Sequence, residues 1–370
     1  MKANDRISRI EVYKASLQLA EPFRTSLAEI TEAQNIFVRV HTASGLYGTG
    51  EARPNPPVTG ETQETAYAAA AVIGEVILNA QPFNLEEINR RIERRLVKNS
   101  AAKSAVNMAL YDLLGKLHEL PLYALLGGGK RPIFTDNTVS IAPAEEMRKK
   151  AMAIREDGFR AIKVKLGGAP AEDIERMRVI RESVGPDIAL RLDANQGWNC
   201  KDAIRILREL EQYDIQYCEQ PLPYWDLSGM QRVSRASAIP VMADESLFGP
   251  HDAFDLAARG ICDYFNIKLT KAGGISNGLA INSIAESAGI PCMIGCMTES
   301  RLAMSAGAHL MSARSNIQYA DLDGYTSMKE DPVTGGVRYE RGDMQLPDDP
   351  GHGADLDPAF LADCSCRVVE

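Results

Sequence analysis

The sequence has no apolar stretch long enough to cross a bilayer, since its longest one, TAYAAAAVIGEVIL, is interrupted by Gly74 and Glu75. Its first residues, MKANDRISRIEVYKAS, contain no apolar core of the kind found in secretory signal peptides. No run of lysines or arginines stands out, and the formal net charge is −9. These absences argue against a membrane protein and against a nucleic-acid-binding or anionic-membrane surface.

A disulfide framework is also missing. The chain has seven cysteines, an odd number, and they are scattered from Cys200 to Cys366. Reduced thiols are therefore expected, and with them a cytoplasmic location. The 370 residues, 45% of them apolar, are enough for one large core or for two unequal domains of a globular protein.

The first 130 residues have the pattern of an α+β domain. Three segments alternate like antiparallel strands: SRIEVYKASLQL, NIFVRVHTA and GLYGTGEA. Three longer segments have helical periodicity: ETQETAYAAAAVIGEVIL, NLEEINRRIERRLVK and SAAKSAVNMALYDLLGKLHEL. The glycines of LYALLGGGKRP then predict a break, and we place the first domain boundary there, at residue 130.

Residues 131–325 change to a regular alternation of short apolar strands and amphipathic helices. The strands are IFTDNTVSI, AIKVKL, IALRLDAN, IQYCEQP, IPVMADES, YFNIKL, IPCMIGC and IQYADLD. Eight such repeats predict an α/β fold with a (β/α)8-type barrel. An open doubly wound sheet is the alternative, but no glycine-rich phosphate turn follows the first strand. In residues 326–370, GGVRYERGDMQLPDD predicts a strand pair, and we expect this segment to return to the first domain.

Three consecutive strands of the predicted barrel end in an acid. These acids are Asp193, Glu219 and Asp244. In a closed barrel the carboxyl ends of the strands converge, so the three carboxylates would repel one another unless a cation lies between them. Mg²⁺ prefers oxygen ligands of this type. Alternatively, each acid caps the helix that follows its strand, as single aspartates commonly do.

Two further strands carry lysines. Alternation places Lys163 and Lys165 of AIKVKL on one face, and Lys268 ends the sixth strand. A substrate carboxylate held by the metal would lie between Lys165 and Lys268, either of which can act as a base toward the adjacent carbon if its pKa is lowered. A neighbouring cation lowers a lysine pKa, so we expect Lys163 to tune Lys165.

These motifs resemble a known family. KVK, RLDANQGW, the glutamate of CEQP, VMADES and FNIKLTKAGGI, in this order and spacing, resemble the muconate-lactonizing-enzyme subgroup of the enolase superfamily. The resemblance implies a modified (β/α)7β TIM-like barrel with an α+β capping domain, to which the last segment returns. It also implies one Mg²⁺ on Asp193, Glu219 and Asp244, with Lys165 and Lys268 as opposed acid and base.

The resemblance carries two further expectations about the barrel. Residues Asn195, Asn266 and Glu245 are expected to support the ligands from nearby positions. Subgroups with a histidine base carry it at the seventh strand, which here reads PCMIGC. The five histidines are therefore expected to be surface or packing residues: His41, His118, His251, His309 and His352.

The last barrel strand distinguishes members of the subgroup. The D-x-D of DLDG, Asp321 and Asp323, resembles that of dipeptide epimerases, where the pair holds the α-ammonium group of the substrate. This implies 1,1-proton transfer through an enediolate at the C-terminal residue of a dipeptide. Alternatives with the same site are an N-acyl amino acid racemase, a cycloisomerase, an o-succinylbenzoate synthase or an acid-sugar dehydratase. A non-catalytic binding protein is the alternative of another class, and the pair itself can instead stabilise the turn before Gly324.

Specificity is expected to depend on two loops of the capping domain, EPFRTSLAEITEAQ and EARPNPPVTG. Alanyl-glutamate epimerases carry an arginine where this chain has Ala28, which argues against an anionic substrate side chain. Candidate substrate contacts are Arg24, Glu51 and Thr298. The acids Glu29, Glu32 and Glu299 favour a basic side chain unless they are solvated surface residues, and an uncharged dipeptide is equally open. We also expect a homo-oligomer.

Overall fold

The computed structural model describes residues 5–370 of the chain. Its first part contains a four-stranded antiparallel sheet, which includes strands β1 (Ile7–Arg24), β2 (Glu29–Thr42) and β3 (Tyr47–Ala52). Five helices follow: α1 (Pro56–Thr59), α2 (Gln63–Ile77), α3 (Leu85–Arg95), α4 (Ser100–His118) and α5 (Leu122–Leu125). The three predicted strands and three predicted helices are all present.

Both faces of this sheet are covered. Val12 and Val38, which pair across β1 and β2, point toward α2 and α4, whereas their neighbours Tyr13 and Phe37 pack into the core of the barrel. This follows from the alternation of side chains along a strand. At Gly50 the sheet approaches α4 so closely that a Cβ would lie 2.0 Å from the carbonyl oxygen of Ala105. The glycine therefore allows β3 to lie against α4.

The barrel follows. Its eight strands are β4 (Asn137–Val139), β5 (Ala161–Lys165), β6 (Ala189–Asp193), β7 (Ile215–Glu219), β8 (Val241–Ala243), β9 (Tyr264–Lys268), β10 (Cys292–Gly295) and β11 (Ile317–Asp321). They are parallel neighbours in chain order, and a bridge between Thr135 and Ala320 connects the first to the last. The helices are α6 (Ala144–Glu156), α7 (Pro170–Val184), α8 (Cys200–Leu210), α9 (Leu227–Ala236), α10 (Pro250–Arg259), α11 (Leu269–Ala272), α12 (Ile275–Ser287) and α13 (Arg301–Ala313).

Helices connect the eight strands by seven crossovers, and no crossover helix follows β11. This is the predicted (β/α)7β barrel with an α+β capping domain, and the fold prediction is confirmed. Strand β5 illustrates how the sequence determines it. All five residues of AIKVK are buried, with Ile162 and Val164 in the apolar core and Lys163 and Lys165 pointing to the barrel axis.

The elements that follow β11 contact both the barrel and the first domain. They are β12 (Val333–Gly335), β13 (Arg338–Glu340), β14 (Asp343–Gln345), β15 (Ala354–Leu356), α14 (Pro358–Ala362) and β16 (Ser365–Val369). The predicted strand pair is β13–β14, but it does not return to the first domain, because it lies against the segment that leads into β4. The strand that returns is β16, which pairs with β1. The division at residues 130 and 325 stays a prediction.

Among the described residues, no helix combines the length and the apolar character that spanning a membrane requires.

Candidate active site

Three carboxylates converge at the carboxyl end of the barrel. Asp193 and Glu219 are the last residues of β6 and β7, and Asp244 directly follows β8. Their side chains are 0–2% exposed, and one oxygen of each lies within 4.8 Å of the others. None of them caps a helix, since α8 and α9 are capped by Asn199 and Asp226 and α10 begins after Gly249. The capping alternative is therefore wrong.

The carboxylate triad fits a hard divalent cation. Glu219 Oε2 and Asp244 Oδ1 are buried and accept no hydrogen bond of good geometry, although lysine ammonium groups lie at ion-pair distance from both. Oxygens left free in this way are suitable ligands for Mg²⁺. The donor set contains only oxygen, as this ion prefers.

Lys165 and Lys268 flank the triad on opposite sides. Lys165 Nζ lies 2.6 Å from Asp193 Oδ2, and Lys268 Nζ lies 2.8 Å from Asp244 Oδ2. Their strands, β5 and β9, are four positions apart in a ring of eight, so the two lysines face each other across the barrel. Both line the cavity between the barrel and the capping domain. A reacting carbon between them would be accessible from both faces.

Lys163 has a different environment from the one expected. Its ammonium group is 1% exposed and lies 2.7 Å from Glu219, 2.7 Å from Asp321 and 3.1 Å from Asp193. Burial alone would lower the pKa of Lys163, but these carboxylates outweigh it and raise the pKa well above its usual value. Lys163 is thus paired with three carboxylates, and its tuning of Lys165 stays a prediction.

The triad members differ in their electrostatics. Burial raises the pKa of Glu219 to about 7, helped by the charge of Asp193. Burial also opposes ionisation of Asp193, but Lys165 and Lys163 prevail and lower its pKa to about 2. Burial is likewise outweighed at Asp244, where Lys268 and Lys271 lower the pKa. Asp193 and Asp244 are thus ionised at neutral pH, whereas additional positive charge, such as that of a bound cation, would favour the ionised form of Glu219.

Asp321 and Asp323 occupy the wall next to β4, and both line the cavity. Their hydrogen-bond partners differ. Asp321 Oδ2 accepts from Lys163 Nζ, whereas Asp323 Oδ2 accepts from the Thr138 backbone at 2.8 Å. Burial and the charge of Asp321 raise the pKa of Asp323 to about 6, while lysines outweigh burial and lower the pKa of Asp321. Within the described part of the chain, Asp323 is therefore the acid of the pair that forms no ion pair with a basic side chain.

Gly324 serves close packing. A Cβ there would lie 3.1 Å from Thr298 Cα and from the Glu299 carbonyl oxygen. Thr298 lines the cavity with a backbone φ of 71°, a conformation that is strained for a β-branched residue. The loop after β10 and the loop after β11 therefore pack closely against each other.

The predicted supporting residues also lie at the site. Asn266 Nδ2 donates to Glu219 Oε1 at 2.7 Å, and Asn195 Nδ2 donates to Glu245 Oε1 at 3.2 Å. Burial and the charge of Asp244 raise the pKa of Glu245 to about 8. No histidine of the described residues lines the cavity: His309 is buried against Tyr123, and His352 bonds to the Thr49 carbonyl.

Two predicted substrate contacts lie outside the cavity. Arg24 is exposed and forms an ion pair with Glu29 at 2.6 Å, so its side chain faces solvent. Glu51 is fully buried and accepts from Asn35 and from both the backbone and the hydroxyl of Ser300. It joins the capping domain to the start of α13 and does not line the cavity.

The three acids that favoured a basic substrate do not line the cavity either. Glu29 is held by Arg24, and Glu32 accepts from Gln18 and Gln34. Glu299 is buried rather than solvated, and its oxygens accept from Thr270 and Met297.

The capping domain contributes a wall of its own. Ser26 Oγ donates to the Ala194 and Asn195 carbonyl oxygens, at 3.0 and 2.6 Å, and so anchors the first loop over the barrel mouth. Side chains from both loops line this wall: Phe23, Leu27, Ala28, Ile30, Arg53, Asn55, Pro57 and Val58.

Family comparisons agree with this architecture. Residues 8–127 match the model described as mandelate racemase / muconate lactonizing enzyme, N-terminal domain, and residues 146–360 match the one described as enolase C-terminal domain-like. The chain belongs to the mandelate racemase / muconate lactonizing enzyme family. This confirms the resemblance on which the fold prediction was based.

Characterised members of the family are similar over almost the whole chain. A D-Ala-D/L-Ala epimerase from Cytophaga hutchinsonii is 41% identical over 96% of this chain and 97% of its own. A hydrophobic dipeptide epimerase from Enterococcus faecalis is 41% identical over 90% of this chain and 95% of its own. The structure of the Cytophaga hutchinsonii dipeptide epimerase with Mg and D-Ala-L-Val superimposes with a TM-score of 0.97 at 40% identity, covering 99% of this chain and 100% of that one.

Three charged residues of the site were missed by sequence reasoning. Lys271 is buried and forms an ion pair with Asp244, and its spacing of three from Lys268 in a helical turn was a usable signal. Arg191, two residues before Asp193 and therefore on the same strand face, pairs with a buried Asp136 at 2.8 Å. Arg53, in the second loop, could not be found from spacing, because loops have no fixed period.

Proposed function

We propose that this family member is a Mg²⁺-dependent dipeptide epimerase that inverts the α-carbon of the C-terminal residue. The observation that carries the proposal is the pair Lys165 and Lys268, which face each other across the Asp193–Glu219–Asp244 triad while Asp321 and Asp323 line the third side. Two opposed bases are required for inversion and have no use in a pure binding site. The dipeptide-epimerase relatives support the same reading.

In this proposal the triad holds one Mg²⁺, which when bound stabilises the negative charge that develops on the substrate carboxylate. Asn266 and Asn195 orient the ligand system through Glu219 and Glu245. Lys163 and Lys271 offset the charge of the acids from below and beside them, so the three carboxylates can remain ionised while they are buried.

The proton transfer uses one lysine on each face. A neutral lysine removes the α-proton and becomes an ammonium group, and the electron pair of the C–H bond enters the enediolate. The opposite lysine, initially an ammonium group, then delivers its proton to the other face of the same carbon. Lys165 and Lys268 exchange these roles between the two epimers, so both directions are catalysed.

Asp321 and Asp323 receive the α-ammonium group of the dipeptide. Asp323 has no basic partner of its own, and an ammonium group would supply one through charge-assisted hydrogen bonds. This site for an ammonium group disfavours an N-acyl amino acid racemase, because N-acylated substrates have no ammonium group for Asp323 to bind. Thr298 lies on the same part of the cavity wall and is a further substrate contact in this proposal.

The test is incubation of the Mg²⁺-loaded protein with a dipeptide library in D₂O, read by mass and by chiral analysis. One deuterium at the α-carbon of the C-terminal residue, with appearance of the other epimer, is the expected result. Cycloisomerisation or dehydration would appear as new products. Failure of every dipeptide to exchange, while N-acyl amino acids do exchange, would contradict the proposal.

A cytoplasmic location and assembly into a homo-oligomer are part of the proposal as well. The seven cysteines are all unpaired in the described residues, as suits a reducing compartment. Tyr224 and Trp225 expose 57% and 70% of their surface, and exposed aromatic side chains are typical of subunit interfaces. Light scattering of the purified protein tests the assembly.

A further inference from the structure

Arg53 is the one cation that the capping domain contributes to the wall of the cavity, among the described residues. It directly follows β3, in the second loop, and its surface is 7% exposed. The guanidinium group remains charged at neutral pH even when it is buried. A positive charge therefore faces the substrate from the side opposite the barrel.

This charge has no partner in the described part of the chain. No carboxylate lies within ion-pair distance of Arg53, no side-chain hydrogen bond involves it, and its Nε is buried without an acceptor. The acid whose charge acts on it is Glu299, but both oxygens of Glu299 are engaged by Thr270 and Met297. Other arginines differ in this respect, since the buried Arg191 is paired with Asp136 and the half-buried Arg39 with Asp355, each at 2.8 Å.

Leaving a buried guanidinium uncompensated is costly. A buried arginine without a partner is expected where a bound ligand supplies the anion that pairs with it. The cavity is where that ligand binds, and the free donors of Arg53 are the ones that its anion would occupy. Carboxylates match the planar fork of a guanidinium well.

The position of Arg53 indicates which part of a dipeptide it meets. The end of β3 lies against the loop that follows β10, because Ser300 donates to Glu51, two residues before Arg53, and Cys296 Sγ of the same loop lies 3.8 Å from Asp323 Oδ1. Arg53 is therefore on the Asp323 side of the cavity, where the α-ammonium group is held in the proposed function. The first loop is on the other side, since the ring of Phe23 lies 5.9 Å from Lys165 Nζ.

We propose that Arg53 determines specificity by binding an acidic side chain on the N-terminal residue of the dipeptide. The C-terminal residue, next to Lys165, then faces the apolar side chains of Phe23, Leu27 and Ile30. The inference rests on the proposed function and extends it to a substrate class: an acidic residue followed by an apolar one. Ala28, in the first loop, argued against an anionic substrate side chain. In this proposal the arginine that binds the anionic side chain is Arg53 of the second loop.

The experiment measures kcat/KM for three dipeptides that differ only in charge or order: L-Glu-L-Leu, its neutral isostere L-Gln-L-Leu, and L-Leu-L-Glu. Wild type is expected to prefer L-Glu-L-Leu over L-Gln-L-Leu by roughly 10- to 100-fold, the gain typical of a charge-assisted hydrogen bond. Arg53→Met should abolish this preference while L-Gln-L-Leu still reacts. Arg53→Lys should retain part of it, because it keeps the charge but not the fork.

Arg24→Met is the matched control, since it removes an arginine of the first loop that faces solvent and should leave the ratio unchanged. A ratio near one in wild type, or a preference that survives Arg53→Met, overturns the inference while epimerisation itself stands. A preference for L-Leu-L-Glu overturns the assignment to the N-terminal residue. If Arg53→Met does not fold, the wild-type ratio and Arg53→Lys decide, and exchange of no dipeptide at all removes the proposed function together with the inference.

Discussion

The cavity has one wall formed by the barrel and one formed by the loops of the capping domain, called here the barrel wall and the cap wall. The two walls differ in whether their charged side chains are paired. On the barrel wall, Lys163, Lys165, Lys268 and Lys271 are each paired with carboxylates at strand ends. On the cap wall, apolar side chains surround Arg53, which among residues 5–370 has no carboxylate within ion-pair distance. The lysines of the barrel wall are thus all paired, and only the triad and Asp323 leave charge for a cation or an ammonium group to compensate, whereas the arginine of the cap wall has no partner before an anion binds.

This difference indicates a division of labour. Groups that take part in chemistry must hold their charges in a fixed geometry before the substrate arrives, which is what pairing achieves. Groups that select a substrate gain from being unpaired until it binds. The predictions below test this division by removing groups from each wall.

The largest effect is expected at the triad. Asp244→Asn, or removal of Mg²⁺ with a chelator, should lower kcat by at least ~1000-fold, because the charge developing on the substrate loses its stabilisation. Far-ultraviolet circular dichroism should remain native, and added Mg²⁺ should restore only the chelated wild type. Asp255→Asn, in an exposed ion pair on α10, is the control and should keep full activity. Full turnover in the chelated protein would contradict the metal assignment.

Removal of either opposed lysine should lower activity nearly as much as loss of the metal site. Lys165→Ala and Lys268→Ala should each lower epimerisation by roughly 10²- to 10⁴-fold, the range for loss of a general acid–base group. Chiral chromatography of the dipeptide over time measures it. Lys201→Ala removes an exposed lysine of α8 and should have no effect. Loss of activity in only one of the two lysine variants would mean that a single lysine carries out both proton transfers.

Asp323→Asn should lower kcat/KM for a free dipeptide by roughly 10- to 100-fold, since one charge-assisted hydrogen bond to the ammonium group is lost. The loss should be much smaller for the N-acetylated dipeptide, which has no ammonium group. Asp321→Asn should impair both substrates, because Lys163 loses a partner at 2.7 Å. Equal losses for both substrates in Asp323→Asn, or a wild-type preference for the acetylated form, would favour an N-acyl amino acid racemase.

The last effect concerns stability and not catalysis, at the contact between the capping domain and the barrel. Burial raises the pKa of Glu51 to about 7, against 4.5 for the ordinary group, so the native protein binds more protons than the unfolded chain between these values. Its contribution to the free energy of unfolding therefore falls as pH rises from about 4.5 to 7, by up to roughly 3 kcal/mol. Urea denaturation at several pH values should show a shallower fall for Glu51→Gln than for wild type, whereas Glu75→Gln, on the surface of α2, should match wild type. An unchanged slope would contradict this.

The barrel wall was largely predictable and the cap wall was not. Asp193, Glu219, Asp244, Lys165 and Lys268 stand at strand ends, and eight regular repeats determine where strand ends converge. Lys163 was identified as important, but its partner Asp321 comes from 158 residues away, so its role could not be read from its own strand. Arg24 and Glu51 were predicted as substrate contacts but do not line the cavity, because the direction of a side chain in a loop or at a domain contact depends on long-range packing.

The most direct test of the central claim is stereospecific exchange in D₂O by the two single-lysine variants. Each pure epimer of a dipeptide substrate is incubated with Lys165→Ala and with Lys268→Ala, and deuterium at the α-carbon is followed by mass. Because the lysines face opposite sides of that carbon, each variant should exchange only one epimer, and the two variants should select different ones. Exchange of the same epimer by both variants would contradict the account.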